Sequence, residues 1–411
     1  MRLFLIQVGG LGLGYLLQVL LAQWMGAEAY GAYTYVFAWA STLALLTALG
    51  LPSAALRFIP TYRTQADWPR LRGLIRGTTA LVLGLSTGLA LVSTVLLLLL
   101  KPASLVLLLL GTWCLPLLTL LKLQVEFLRS AQRLIWAYAP SLLARPLLMG
   151  LGAFLLVQTG RALTAPLILG LAAAVLIGLL AVQALALRHT FLHTLPPATP
   201  RYTFRPWLRV ALPLLLSTAF IYIVNQADLL MVGLFLNDAL VGHYYAASRT
   251  VSVVILPLMA VNGVIAPLIA SIHLKQGSAG LERLLRRAMP WVVGPSLLTA
   301  GALFVFAEPV LRLFGPSFSE AAGALRILAV GYFFSAAAGP VGLLMDLTGH
   351  QDESARVYGA CALLNILINA AAIPLLGLAG AALATTATLM LRNAWLYWLV
   401  VKGLGVRFTI R

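Results

Sequence analysis

The chemistry-bearing side chains of this chain are few, and four of them stand where water should be absent. Arg145, Asp228, Arg249 and Arg392 each lie inside a long apolar run. An ionised side chain at the centre of a membrane span costs about 2.5–3.5 kcal/mol on insertion scales, so each of the four needs a partner, an aqueous cavity or a reach to the interface. A guanidinium is a planar fork of donors matched to phosphate, so arginines facing inward would make an anion site, with Arg145 and Arg392 well shaped for a diphosphate. Arg57, at the inner end of an earlier run, is a weaker candidate for the same task. Asp228 and Arg249 flank one short turn, each about 10–12 Å from its outer end at 1.5 Å per residue. That register allows an intramembrane pair, either a gate that opens when cargo or a coupling ion enters or a permanent lock on the hairpin. Asn225 precedes Asp228 by three residues and shares its helical face. Asn365 and Asn369, spaced i,i+4, also share a face and either line a polar path or hydrogen-bond between helices.

Other chemistries find no support in the residues. Cys114 and Cys361 both lie in apolar runs and the five histidines show no ligand spacing, so neither a disulfide framework nor a metal centre is expected. No nucleophile or phosphate-loop constellation occurs, and no outer loop is long enough for a membrane glycosyltransferase or ligase. The chain therefore reads as a non-enzyme without a cofactor.

The elements that position these groups follow from composition. Of 411 residues, 61% are hydrophobic and 9% charged, against roughly 25% charged in an ordinary soluble domain. The class is an all-α polytopic membrane protein, since the runs are continuous rather than alternating as in a β-barrel. Twelve spans are expected, near 3–22, 33–56, 78–100, 103–123, 137–157, 164–187, 210–235, 241–271, 289–307, 324–347, 357–375 and 379–400. The first is read as an uncleaved span, being longer than the apolar core of a secretory signal. Lys101-Pro102, Asn237-Asp238 and Gly377-Leu378 should be tight hairpin turns.

The formal net charge is +17, from 28 basic and 11 acidic residues. Assigned to alternate sides, 21 of those 28 basic residues fall on one side, which places both termini in the cytoplasm by the positive-inside rule. Orientation and anionic headgroups account for the excess, so nucleic acid is not a partner. An internal repeat is also visible: Gly31-Ala32-Tyr33 and Gly242-His243-Tyr244 each open a span, and each of those spans is followed by a basic amphipathic stretch, 67–76 and 281–287. The organisation is a six-helix lobe at 1–187, a Pro-rich linker at 188–209, a second lobe at 210–400 and a short tail at 401–411.

Several of these stretches carry a family resemblance. Gly26-Ala-Glu-Ala-Tyr-Gly-Ala-Tyr33, Asn225-Gln-Ala-Asp-Leu-Leu-Met-Val-Gly233, Val241-Gly-His-Tyr-Tyr-Ala-Ala-Ser-Arg249 and Pro374-Leu-Leu-Gly-Leu-Ala-Gly-Ala-Ala-Leu-Ala-Thr385 resemble the polysaccharide transporter (O-antigen flippase-like) family of the multidrug/oligosaccharidyl-lipid/polysaccharide exporter superfamily. The resemblance runs through essentially the whole chain. It implies a V-shaped, MATE-like pair of six-helix bundles, alternating access coupled to H+ or Na+, and carriage of a lipid-linked anionic oligosaccharide across a bacterial inner membrane for O-antigen or lipopolysaccharide synthesis. A polymerase or glycosyltransferases would be partners. The chain ends soon after span 12, so the fourteen-span lipid II flippase pattern is not expected. Two other readings stand beside it, a multidrug or cation antiporter of the same superfamily and a non-transporting scaffold for glycan assembly.

Overall fold

The computed structural model describes residues 2–192, 196 and 198–407, and every regular element among them is helical. With no water to bond the backbone, a chain this apolar satisfies its N–H and C=O groups inside helices. The chain divides into two compact units, Met1–Ala219 and Phe220–Arg411. The first holds α1 (Arg2–Thr47), α2 (Leu51–Thr64), α3 (Trp68–Leu100), α4 (Leu105–Ser130), α5 (Leu134–Ala139), α6 (Arg145–Gln158) and α7 (Ala165–Leu187). A π-helical turn, Pro140–Ala144, joins α5 to α6. Next comes α8 (Phe204–Phe235), whose second half belongs to the second unit. That unit continues with α9 (Asp238–Val251), α10 (Leu256–Ala288), α11 (Pro290–Val305), α12 (Ala307–Arg312), α13 (Ala322–Ala337), α14 (Val341–Leu347), α15 (Gln351–Leu376) and α16 (Leu378–Leu399).

Among the described residues, nine stretches are long and apolar enough to cross a membrane, ten when 204–220 and 225–235 are joined. Two of the nine are too long to be one crossing of a hydrocarbon core about 30 Å thick. The stretch 9–47 is broken at Gly26, where φ is 76° and ψ 167°, and the stretch 351–404 is broken at Gly377, where φ is 57°. Divided there, the stretches correspond one to one with the twelve expected spans. The three expected hairpin turns are present. Lys101 ends α3 in the left-handed region, Asn237 caps α9 by accepting from the Leu240 N–H at 3.0 Å, and Gly377 ends α15.

Within the first unit α4 is central, packing on α1, α2, α3 and α7. In the second, α16 lies against α13 and α15, and α13 also meets α9 and α11. With lipid as apolar as the side chains, such packing rests on close backbone approach. Gly380 shows it: a Cβ there would run into the Ala372 backbone carbonyl across the α15/α16 turn.

Several boundaries differ from expectation. Span 2 stops at Thr47 rather than residue 56, because Leu49 and Gly50 take positive φ and α2 leaves as a separate helix. Span 10 ends at Ala337, where Gly339 and Pro340 interrupt it before the short α14. Within the stretch 188–209, expected to link the lobes and partly outside the described residues, the Arg201 N–H donates to the Pro69 carbonyl and the fully buried Trp207 donates its indole N–H to the Tyr62 hydroxyl at 3.0 Å, so this part packs on the first unit. Trp207, Tyr30 and Tyr33 read as interface aromatics by type, yet all three are buried, and Tyr30 donates to Gln18. The amphipathic stretches run as expected. Asp67 caps α3 by accepting from the Arg70 N–H, and Arg286 pairs with Glu282 at 2.6 Å.

Gly380→Ala should lower the melting temperature of the detergent-purified protein, since forced overpacking costs about 1–3 kcal/mol. Gly294→Ala, where a Cβ meets nothing within 4 Å, should leave it unchanged in the same fluorescence melt.

Candidate functional site

The second unit carries a polar band through an otherwise apolar interior. Asp228 on α8 is 4% exposed, and its carboxylate accepts from the Tyr244 hydroxyl at 2.6 Å, the Thr385 hydroxyl at 3.1 Å and the Leu229 N–H at 2.9 Å. These donors come from α9, α16 and α8, so one charge ties three helices together. One turn further along α16, the Thr388 hydroxyl accepts from Asn365 at 3.0 Å, and the Asn365 side-chain oxygen accepts from Asn369 at 3.1 Å. Both asparagines are wholly buried, and the Asn369 side-chain oxygen has no partner. They bridge α15 to α16 rather than line open space.

The expected pair of Asp228 with Arg249 does not form. The turn after α8 is only Leu236 and Asn237, so α9 starts at Asp238 and brings Tyr244 level with Asp228. Arg249 lies more than one turn further in, roughly 7 Å at 1.5 Å per residue. Its guanidinium sits 4.8 Å from the Tyr245 ring centroid on the preceding turn of the same helix.

The other two arginines are placed the same way, on aromatic faces. Arg145 lies 5.0 Å from the centroid of Phe37 and Arg392 lies 5.6 Å from that of Tyr358. Such contacts are worth about 0.5–2 kcal/mol, which holds a cation in place without neutralising it. Arg145 stands near the midpoint of the 134–158 stretch. A π-turn, Pro140–Ala144, immediately precedes it, and Pro146 follows in the first turn of α6. Arg392 donates to the Ser335 hydroxyl at 3.5 Å, and its Nε is buried without a partner. Neither arginine has a carboxylate within ion-pair distance among the described residues. Tyr332 on α13 lies within electrostatic range of Asp228, Arg249 and Arg392, which places these groups in one neighbourhood of the second unit.

In the first unit a second cation joins Arg145. The span expected over 103–123 was to close just past Lys122, but α4 continues to Ser130, and the Lys122 ammonium donates to the Ser41 carbonyl at 3.1 Å. Phe37 and Ser41 are i,i+4 on α1, so Arg145 and Lys122 reach adjacent turns of one face. Arg57 on α2 and Asn225 on α8 are exposed residues. Tyr245 was legible as the i−4 neighbour of Arg249, and Tyr244 lay in the repeated motif. Thr385, Phe37 and Tyr358 come from distant sequence and carried no signal.

Comparison with known proteins agrees with this architecture. The family profile described as "Polysaccharide biosynthesis protein" matches residues 1–273, and the MatE profile matches 213–371. A probable low-salt glycan biosynthesis flippase, Agl15 of Haloferax volcanii, is 26% identical over 169 residues, which span 40% of this chain and 35% of that relative. The fold is similar to the inward-facing conformation of a multidrug resistance MATE family transporter, with TM-score 0.74 and 16% identity over 96% of this chain and 94% of that one. It is also similar to the lipid II flippase MurJ in an inward closed conformation, with TM-score 0.73 and 18% identity over 97% and 87%. A transporter of the same superfamily from Pyrococcus furiosus, whose binding pocket has reversed polarity, gives TM-score 0.64 and 14% identity over 98% and 94%. These relatives are transporters and flippases, not enzymes.

Removing the Tyr244 hydroxyl leaves a buried carboxylate short of a donor, a loss of roughly 1–3 kcal/mol. Tyr244→Phe should therefore lower the melting temperature. Because Asp228→Asn removes the charge that needs that donor, the double variant should lose less than the sum of the two single variants, a coupling measured by the double-mutant cycle.

Proposed function

The chain belongs to the polysaccharide biosynthesis protein family, a polysaccharide transporter family within the multidrug/oligosaccharidyl-lipid/polysaccharide exporter superfamily, and from that membership we propose that it is a flippase for a polyprenyl-diphosphate-linked oligosaccharide. The observation that carries the reading is the state of Arg145 and Arg392. Each is a cation within a long apolar stretch, held on an aromatic ring and lacking a carboxylate within ion-pair distance among the described residues. A guanidinium in a low-dielectric setting gains most from an anion that arrives with cargo and leaves with it, and a diphosphate offers bidentate contacts. Within the first unit, Lys122 adds a second cation beside Arg145.

The proposed cycle is alternating access, with the sugar carried from the cytoplasmic to the outer leaflet of a bacterial cell membrane and both termini cytoplasmic. Surface polysaccharides such as O-antigen and lipopolysaccharide are the fitting products, with a polymerase or glycosyltransferases as neighbours. We assign the coupling ion, H+ or Na+, to Asp228, an acid buried in the span region and surrounded by hydroxyl groups that accept as well as donate. Asp228 and the MatE match at 213–371 also favour a second reading, export of an organic cation. The three arginines against a single aspartate weigh toward anionic cargo.

Reconstitution separates the readings. Vesicles containing the protein should expose a fluorescent lipid-linked oligosaccharide to outer-leaflet quencher faster than empty vesicles do, and equal rates would sink the flippase. Arg145→Gln and Arg392→Gln should each slow this at least 10-fold, in keeping with about 1.5–3 kcal/mol for a hydrogen bond to a charged group, with partial recovery as Lys. Asp228→Asn should abolish the response to an imposed ion gradient. Uptake of an organic cation with no movement of the glycolipid would establish the exporter instead.

A further inference from the structure

The second unit holds a tyrosine to which the proposed cycle gives no task. Tyr332 is half-buried on α13, within electrostatic range of Asp228, Tyr244, Arg249 and Arg392. Packing fixes it there. At Gly331 the helix comes so close to α16 that a Cβ would run into Thr386, and the Thr386 hydroxyl donates to the Ile327 carbonyl at 3.0 Å. One turn on, the Ser335 hydroxyl accepts from Asn393 at 3.0 Å and from Arg392 at 3.5 Å. Tyr332 therefore rides on a stretch of α13 that is pinned to α16 at both ends. The first pin adjoins Thr385, which donates to Asp228, and the second holds Arg392, about 10 Å further along α16 at 1.5 Å per residue.

A tyrosine hydroxyl has one proton to donate. Asp228 takes its hydrogen bonds from Tyr244, Thr385 and the Leu229 N–H, and Arg392 donates to Ser335; none of these bonds uses Tyr332. Its proton has two claimants, the Asp228 carboxylate and an anion held by Arg392. An ion bound at Asp228 cancels the charge of the first. We propose that Tyr332 links the two occupancies: a charged Asp228 draws the hydroxyl dipole toward itself, and once H+ or Na+ neutralises the acid the hydroxyl donates to the cargo diphosphate beside Arg392. This rests on the flippase reading and on Asp228 as the ion site. The link is reciprocal, so the ion tightens cargo binding by the factor by which cargo tightens ion binding. Cargo is then gripped in the ion-loaded state and loosened when the ion leaves.

The test measures binding of a fluorescent polyprenyl-diphosphate-linked oligosaccharide to the full chain in nanodiscs, in Na+ against choline and at acid against alkaline pH. In the unsubstituted protein one of these ions should tighten binding about 5-fold or more, the lower end of measured couplings. Tyr332→Phe should bring that ratio close to 1. A purely structural loss lowers both affinities and leaves their ratio alone, so a ratio that survives Tyr332→Phe would overturn the link. Asp228→Asn, a permanently neutral mimic, should bind the glycolipid without the ion as tightly as the ion-loaded protein does. Adding Tyr332→Phe should cancel that gain; no gain in Asp228→Asn, or a gain that persists in the double variant, would also overturn the link. An unsubstituted protein that binds and moves the glycolipid with no response to either ion would overturn the link and leave the flippase standing. One that neither binds the glycolipid nor moves it in vesicles would sink the flippase reading and the link together.

Discussion

Charge is expensive where water is missing, and the interior of this protein is organised around that cost. A carboxylate or guanidinium within the hydrocarbon region has three ways out: neutralise, find a dipole or opposite charge, or keep a path to water. Asp228 takes the second way, with two hydroxyls and a backbone N–H from three helices around it. The arginines take a different one. Phe37, Tyr245 and Tyr358 give their guanidiniums a face to rest on, and a ring quadrupole positions a cation without neutralising it. The two solutions differ in kind: the acid is held by hydrogen bonds from neighbouring helices, the cations by ring faces.

That difference links stability to function. The helices around Asp228 are tied by its hydrogen bonds, and the same band continues through Thr388, Asn365 and Asn369. Hydrogen bonds between membrane helices are modest singly, averaging about 0.6 kcal/mol in measured cases, so the band owes its weight to connectivity. Close approach supplies the rest. The α15/α16 hairpin turns at Gly377 and is packed tightly enough at Gly380 to exclude a methyl group.

Much of the fold was legible because the membrane imposes simple rules. Length and continuity of apolar runs located the crossings, and short polar interruptions marked the hairpins. Errors fell where local chemistry competed with the pattern. Gly50 and the Gly339-Pro340 pair ended helices inside runs that remained apolar. The span holding Lys122 was expected to close just past it, although a long side chain bonded to a carbonyl is tolerated within a helix. Trp207 was read as an interface residue by type, although its indole N–H had a buried partner waiting in Tyr62.

The site divided along the same line. The sequence alone determined which residues could not be indifferent, since four charges inside apolar runs and an i,i+4 asparagine pair are unusual whatever the fold. It also determined that Tyr245 underlies Arg249, because helical spacing is local. Only tertiary structure decided partnership. Asp228 met Tyr244 and Thr385 instead of Arg249, since the hairpin register, set by a two-residue turn, offsets Arg249 by more than a helical turn, and Thr385 arrives from 157 positions away. Depth in a span can be counted from sequence, but which neighbour lies at that depth depends on how helices rotate and pack, and that is settled by contacts between residues far apart in the chain.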